Sequence, residues 1–152
     1  MAKNKKPAKK YKSRPLAFPG LIVANNAFLP VEQALDKLLK TGEILEDEVG
    51  IYVYENVGGK LESFEIGIEN YIMTCIVLYE MKTKKSIEFP ALRKLIQAMA
   101  AKEGFDEEDL EATKPEIAVC KKILSMSNSM DIRNVAVIVA DEQIKKGRMR
   151  PR

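Results

Sequence analysis

Apolar positions recur at helical spacing through most of this chain, and the longest such pattern covers residues 61–82. Leu61, Phe64, Ile68, Ile72, Cys75, Ile76 and Tyr79 form one stripe, Ile66, Met73 and Val77 a second, and Tyr71 and Leu78 a third. A helix apolar on most of its sides must be enclosed by other elements. Ser63 is placed to cap it, with Glu62 and Glu65 at the positive end of the helix dipole and Lys82, Lys84 and Lys85 at the negative end. The competing reading is a buried strand over residues 72–79, which are rich in β-branched and aromatic side chains; periodicity alone does not separate the two. The pattern continues from Phe64 to Met81, long for a strand, and this favours the helix. Its unbroken apolar run, residues 71–79 with Thr74 inside, is far shorter than the ~20 residues that cross a bilayer, so no membrane partner is expected.

Shorter patterns flank this stretch. Val31, Ala34, Leu35 and Leu38 make one helical face, with Pro30 in the first turn and Gly42 as the stop. Residues 16–30 are apolar but broken by Pro19, Gly20 and Asn25-Asn26, and read as an extended segment over the core. Around residues 50–62 the pattern alternates, Ile51 and Val53 on one side and Tyr52 and Tyr54 on the other, and Gly58-Gly59 can turn it. A short β-hairpin or an extended insertion is expected there. Pro90 opens a helix with Leu92, Leu95, Ile96 and Met99 inward, which Gly104 ends. Asp106 caps a short turn. Thr113 and Glu116 have capping-box spacing and start a further helix with Ile117, Cys120, Ile123 and Leu124 inward. In the last helix Ser129 is the cap, Ile132, Val135, Ala136, Val139 and Ile144 the inner face, and Gly147 the stop. The expected fold is mainly α: a small helical bundle around the central helix, one domain over residues 15–147, with a basic arm at 1–14 and a basic tail at 148–152.

Charge changes this picture. Formal net charge is +3, yet residues 1–14 hold Lys3, Lys5, Lys6, Lys9, Lys10, Lys12 and Arg14 with no acid, and residues 145–152 hold Lys145, Lys146, Arg148, Arg150 and Arg152 with no acid. Residues 15–144 hold 13 basic against 22 acidic side chains, net −9. The chain is an acidic body with two basic ends. The first fourteen residues carry too little apolar surface to order alone.

Candidate chemistry is sparse. Histidine is absent, which removes the usual general base and the commonest metal ligand. Cys75 and Cys120 cannot make a structural zinc site by themselves; both sit in apolar stripes and read as buried, reduced thiols. Gly58-Gly59-Lys60 departs from a phosphate loop, with Tyr54 and Leu61 at the glycine and hydroxyl positions. The acids of residues 106–111 lack the alternation and glycine of a calcium loop. No catalytic residue, metal site or cofactor is expected, and an enzyme is the least supported class. No secretory leader pattern opens the chain, so a cytoplasmic location is the expectation.

The order of several features resembles a loose group of small, mostly helical proteins borne by phages and prophages. These features are the arm Lys10-Tyr11-Lys12-Ser13-Arg14-Pro15, the pair Gly42-Glu43, Asn70 within the apolar helix, and the closing Lys145-Lys146-Gly147. The insertion at residues 46–60 departs from that group. The resemblance implies a helical fold and a phage-type accessory or regulatory role, and brings no catalytic residue.

Two functions compete. In the first, Lys5, Lys6, Lys9, Lys10, Lys12, Arg14, Arg148, Arg150 and Arg152 neutralise nucleic-acid phosphates without reading sequence, and Tyr11 stacks on a base. In the second, the chain is an interaction module, an inhibitor or adaptor whose acidic body meets a basic host protein and presents Tyr52 and Tyr54 at the interface.

Overall fold

A computed structural model of the chain describes residues 28–56 and 58–147. Helix α1 (Leu29–Thr41) leads into a three-stranded antiparallel sheet, β1 (Leu45–Glu46), β2 (Tyr52–Glu55) and β3 (Leu61–Ser63), in the order β1-β2-β3. Four helices follow: α2 (Phe64–Thr83), α3 (Pro90–Ala101), α4 (Glu107–Met126) and α5 (Ser129–Lys145). The described residues are thus mainly helical with a small sheet.

Helix α2 is the axis of the bundle. It touches α1, α3, α4, α5 and two of the strands, and no residue from Phe64 to Tyr79 is fully exposed. Phe64, Ile68, Tyr71, Ile72, Cys75 and Leu78 lie in one core with Leu35 and Leu38 of α1, Leu92 and Met99 of α3, Ile117 and Cys120 of α4, and Ile132 and Val139 of α5. The three apolar stripes read from the sequence are what a helix packed on every side requires.

The sheet is built by two side chains that close its turns. Asp47 Oδ1 accepts the N–H groups of Val49 and Ile51, each at 2.9 Å, and Gly50 takes φ +87°. Asn56 Oδ1 accepts from Gly58 and Lys60 while its Nδ2 donates to Glu62 at 2.7 Å. Short polar side chains that bond their own backbone stabilise such turns. The hairpin expected near residues 50–62 is present, and β1 adds a strand that the pattern did not predict. Residues 61–63, placed in the central helix by spacing, are strand: Leu61 pairs with Glu55, Glu62 with Tyr54 and Ser63 with Val53. Ser63 then ends the strand and caps the helix at once, its Oγ accepting Ile66 N–H at 3.3 Å.

Four further expectations need correction. Helix α4 runs unbroken from Glu107 through Pro115, so Thr113 and Glu116 are not a capping box. Thr113 is buried and its hydroxyl donates to Leu110 C=O at 2.6 Å. Burial of Thr113, Ile117 and Cys120 along one face carries the helix past its proline, which costs roughly 3 kcal/mol in a helix interior. Helix α3 ends on Lys102, left-handed at φ 59°, and not at Gly104. The cap of α5 is Asn128, whose side chain accepts Asp131 N–H at 2.7 Å, leaving Ser129 inside the first turn. Finally, Gln143 and not Ile144 completes the buried face of α5. The extended segment expected over residues 16–30 lies almost wholly outside the described residues.

Candidate interaction site

Between α1 and the sheet lies an open groove of about 590 Å³. Pro30, Gln33, Ala34 and Lys37 line it from α1, and Ile44, Leu45, Val53 and Phe64 give it an apolar floor. Glu43 and Glu55 stand at its sheet side, both exposed. The register explains the floor. Leu45 pairs with Val53, so both side chains point to one face of the sheet, the face turned to the groove.

The groove opens on an edge of the sheet. Both residues of β1 are exposed, and among the described residues β1 is paired on one side only. Asp47 N–H donates to Ile51 C=O at 2.9 Å. Antiparallel pairs alternate between bonded and non-bonded, so Leu45–Val53 is the next bonded pair. The N–H and C=O of Ile44 and Glu46 are then directed outward. An unpaired edge is a template for an added strand.

Charge gathers at the same end of the molecule. The ring of Tyr52 lies 6.0 Å from that of Phe105, and Lys102 Nζ sits 4.0 Å above it. These contacts hold the loop between α3 and α4 against the β1–β2 turn. Exposed Glu46 at the end of β1 and Glu48 of the turn are thereby brought to the side of exposed Glu103, Asp106, Glu107 and Glu108. Val49 and Ile51 are exposed beside them. Over residues 28–147 the sequence has 15 basic against 22 acidic side chains, net −7.

Tyr52 and Tyr54, expected as exposed interface aromatics, are half-buried and held within the fold. Tyr54 packs against Phe64 with ring centroids 5.9 Å apart, donates its hydroxyl to Glu62 at 3.2 Å, and presses on Gly67 of α2. They shape the site from beneath. The positions that do face outward, Leu45, Glu46 and Val49, carry no aromatic signal, and sequence pattern could not single them out. Lys5, Lys6, Lys9, Lys10, Tyr11, Lys12, Arg14, Arg148, Arg150 and Arg152 lie outside the described residues.

The interior of the described residues holds several polar groups. Tyr71 donates its hydroxyl to Glu32 Oε2 at 2.5 Å; burial, and then this bond, push its phenol well above the ordinary range. Cys75 and Cys120 are free and fully buried. Contact with Cys120, then burial, push the Cys75 thiol up, so neither ionisation nor attack by it is favoured. Glu69, nearly buried, accepts from Gln143 Nε2 at 3.1 Å across the α2–α5 seam. Among the described residues no group of His, Cys, Asp and Glu could hold a metal ion, and no helix is long and apolar enough to cross a membrane.

Compared with protein families, with curated proteins and with solved structures, the chain matches none.

Proposed function

We propose that this protein is a non-enzymatic interaction module that holds an extended, basic and apolar segment of a partner protein in the groove between α1 and the sheet. The observation that carries this reading is the coincidence of three features at one place: an apolar floor, a strand edge unpaired among the described residues, and carboxylates at the sheet side. An extended segment added to β1 bonds its backbone to Ile44 and Glu46, sends alternate side chains onto Leu45, Val53 and Ala34, and meets Glu43 and Glu55 with its cations. Main-chain bonds supply affinity and the acids select against acidic competitors.

A fluorescent peptide of alternating lysine and valine, about six residues long to match a strand, is the direct probe. The full chain should bind it saturably, and Ala34→Glu, which places an acid on the α1 wall of the groove, should weaken binding at least about tenfold. Equal binding by the variant would refute the site.

The second reading is sequence-independent association with nucleic acid through the basic ends, in the phage-type accessory role that the resemblance implies. Its support is the concentration of twelve of the 25 basic residues in residues 1–14 and 145–152. Affinity for a DNA oligonucleotide would then fall by orders of magnitude between low and moderate salt, and reversing Lys5, Lys6, Lys9 and Lys10 would flatten that dependence.

A further inference from the structure

A second groove, of about 370 Å³, lies between α1 and α4, on a different face of α1 from the first. Its floor is apolar: Ile117 is buried, Leu39 half-buried, and Ala118 small and exposed. Lys40 of α1 and Lys114 and Lys121 of α4 stand around this floor, against a single acid, Asp36. All four charged residues are exposed. The spacing explains the arrangement. Leu39 and Lys40 follow Asp36 by three and four residues, and Ile117, Ala118 and Lys121 follow Lys114 by three, four and seven, so each set shares one helix face.

The lysines say what the groove takes. Residues 28–147 are net −7, yet the lining of this groove is net +2, three lysines against one aspartate. Lys114 and Lys121 lie in the middle turns of α4, where the helix dipole gives a cation no advantage. Their own ion pairs, to Glu111 at 2.6 Å and to Asp36 at 3.3 Å, are exposed and readily exchanged. Lys40 has no ion pair among the described residues. These cations are open to an acidic ligand at little cost. Residues 1–14 and 145–152 hold no acid, so neither basic end of the chain fits. Nucleic acid supplies phosphates but no apolar side chain for Leu39, Ile117 and Ala118. An acidic amphipathic helix supplies both, and the cleft between two packed helices receives a third by interdigitating side-chain rows.

We infer that the α1–α4 groove docks an acidic amphipathic helix of a partner protein, its apolar side chains on Leu39, Ile117 and Ala118 and its carboxylates on Lys40, Lys114 and Lys121. The partner's acids replace Glu111 on Lys114 and Asp36 on Lys121. Apolar contact on the floor supplies affinity, and the lysines select the sign of charge and set the helix in place. The inference does not rest on the groove beside the sheet, which selects an extended basic segment, and either site can fail without the other.

The probe is a fluorescent peptide of about fourteen residues, roughly four helical turns, with leucine at i, i+3, i+7 and i+10 and glutamate elsewhere. The full chain should bind it saturably. Lys114→Glu with Lys121→Glu should weaken binding at least about tenfold with an unchanged helical spectrum. Ala118→Glu, at an exposed position, should do the same, and serves if the first variant does not fold. Replacing the leucines of the peptide by serine should weaken binding as much. Reversing Lys5, Lys6, Lys9 and Lys10 should change it less than about threefold at ~0.15 M salt, where charges are screened beyond ~8 Å. Absence of saturable binding, a groove variant or a serine peptide that binds like its parent, or a tenfold loss on reversing the arm lysines would each overturn the proposal. A DNA oligonucleotide that loses affinity with Lys114 and Lys121 while the peptide does not would assign these lysines to phosphates and also overturn it.

Discussion

The carboxylate of Glu116, in the middle of α4, accepts the N–H of Leu92 at the start of α3 at 2.8 Å. Its other oxygen accepts the N–H of Ala91 at 2.9 Å. The first N–H groups of a helix lack partners within it, and Phe89, at the cap position of α3, offers no side-chain bond. Pro90 has no N–H to satisfy. A glutamate from another helix therefore does the capping, and its charge lies at the positive end of the α3 dipole. Glu116→Ala leaves two half-buried donors without a partner. It should cost about 1.5–3 kcal/mol in chemical denaturation, the range for bonds to a charged group. A loss below about 0.5 kcal/mol, the scatter of ordinary surface changes, would show that α3 does not depend on this cap.

Gly67 should resist replacement. In the interior of a helix glycine costs about 1 kcal/mol relative to alanine, so Gly67→Ala would ordinarily stabilise. Here an added Cβ would lie 2.6 Å from Tyr54 Cε1 and 2.9 Å from its hydroxyl oxygen. Tyr54 is held against Phe64 and by its bond to Glu62, so the substitution should destabilise by about 1–3 kcal/mol, as overpacking does. A rise in thermal midpoint would mean that the ring moves aside freely.

Alkaline pH should unfold the protein early. Tyr71 and Cys75 both have proton affinities raised in the folded state above ordinary values of 10.0 and 9.0. Below those values folded and unfolded chains are both protonated and the full stability is present. As pH rises past 9 and then 10, the unfolded chain releases these protons and the folded chain keeps them, so stability falls. Each group contributes a slope of about 1.4 kcal/mol per pH unit. Urea titrations at rising pH should show this decline begin near the Cys75 value. A Tyr71→Phe variant should have a smaller slope above pH 10 than its parent.

Ile72 sits at the centre of the core with no exposure. Ile72→Ala should cost roughly 2–5 kcal/mol, read from denaturant midpoints. A much smaller loss would mean that α2 is not the element on which the bundle is built.

The helices were legible because their signals are local. The multi-sided apolar pattern of residues 64–81, Pro30 and Pro90 at helix starts, and Gly42 after a helix end depend on near neighbours in the chain. What escaped the pattern depends on contacts between distant residues. Thr113 and Glu116 have capping-box spacing, but Glu116 is drawn to Ala91 and Leu92, and packing carries α4 through Pro115. Strand β1 is two residues long, too short to alternate visibly, and exists because Asp47 closes its turn. Of the candidate site, the acidic character of the body was legible from charge counts alone. The groove was not, since it is made where α1 meets a sheet whose register only the fold defines. Tyr52 and Tyr54 signalled an interface by composition, and both are spent on internal contacts.

The central claim is that the outer edge of β1, unpaired among the described residues, takes an added strand. Amide hydrogen exchange of the full chain, measured with and without the lysine–valine peptide, tests it most directly. The account predicts slower exchange at Ile44 and Glu46, whose N–H groups face the open edge, and little change at Leu45, whose N–H already bonds Val53. Protection confined to other parts of the molecule, or unchanged exchange at Ile44 and Glu46 under saturating peptide, would contradict it.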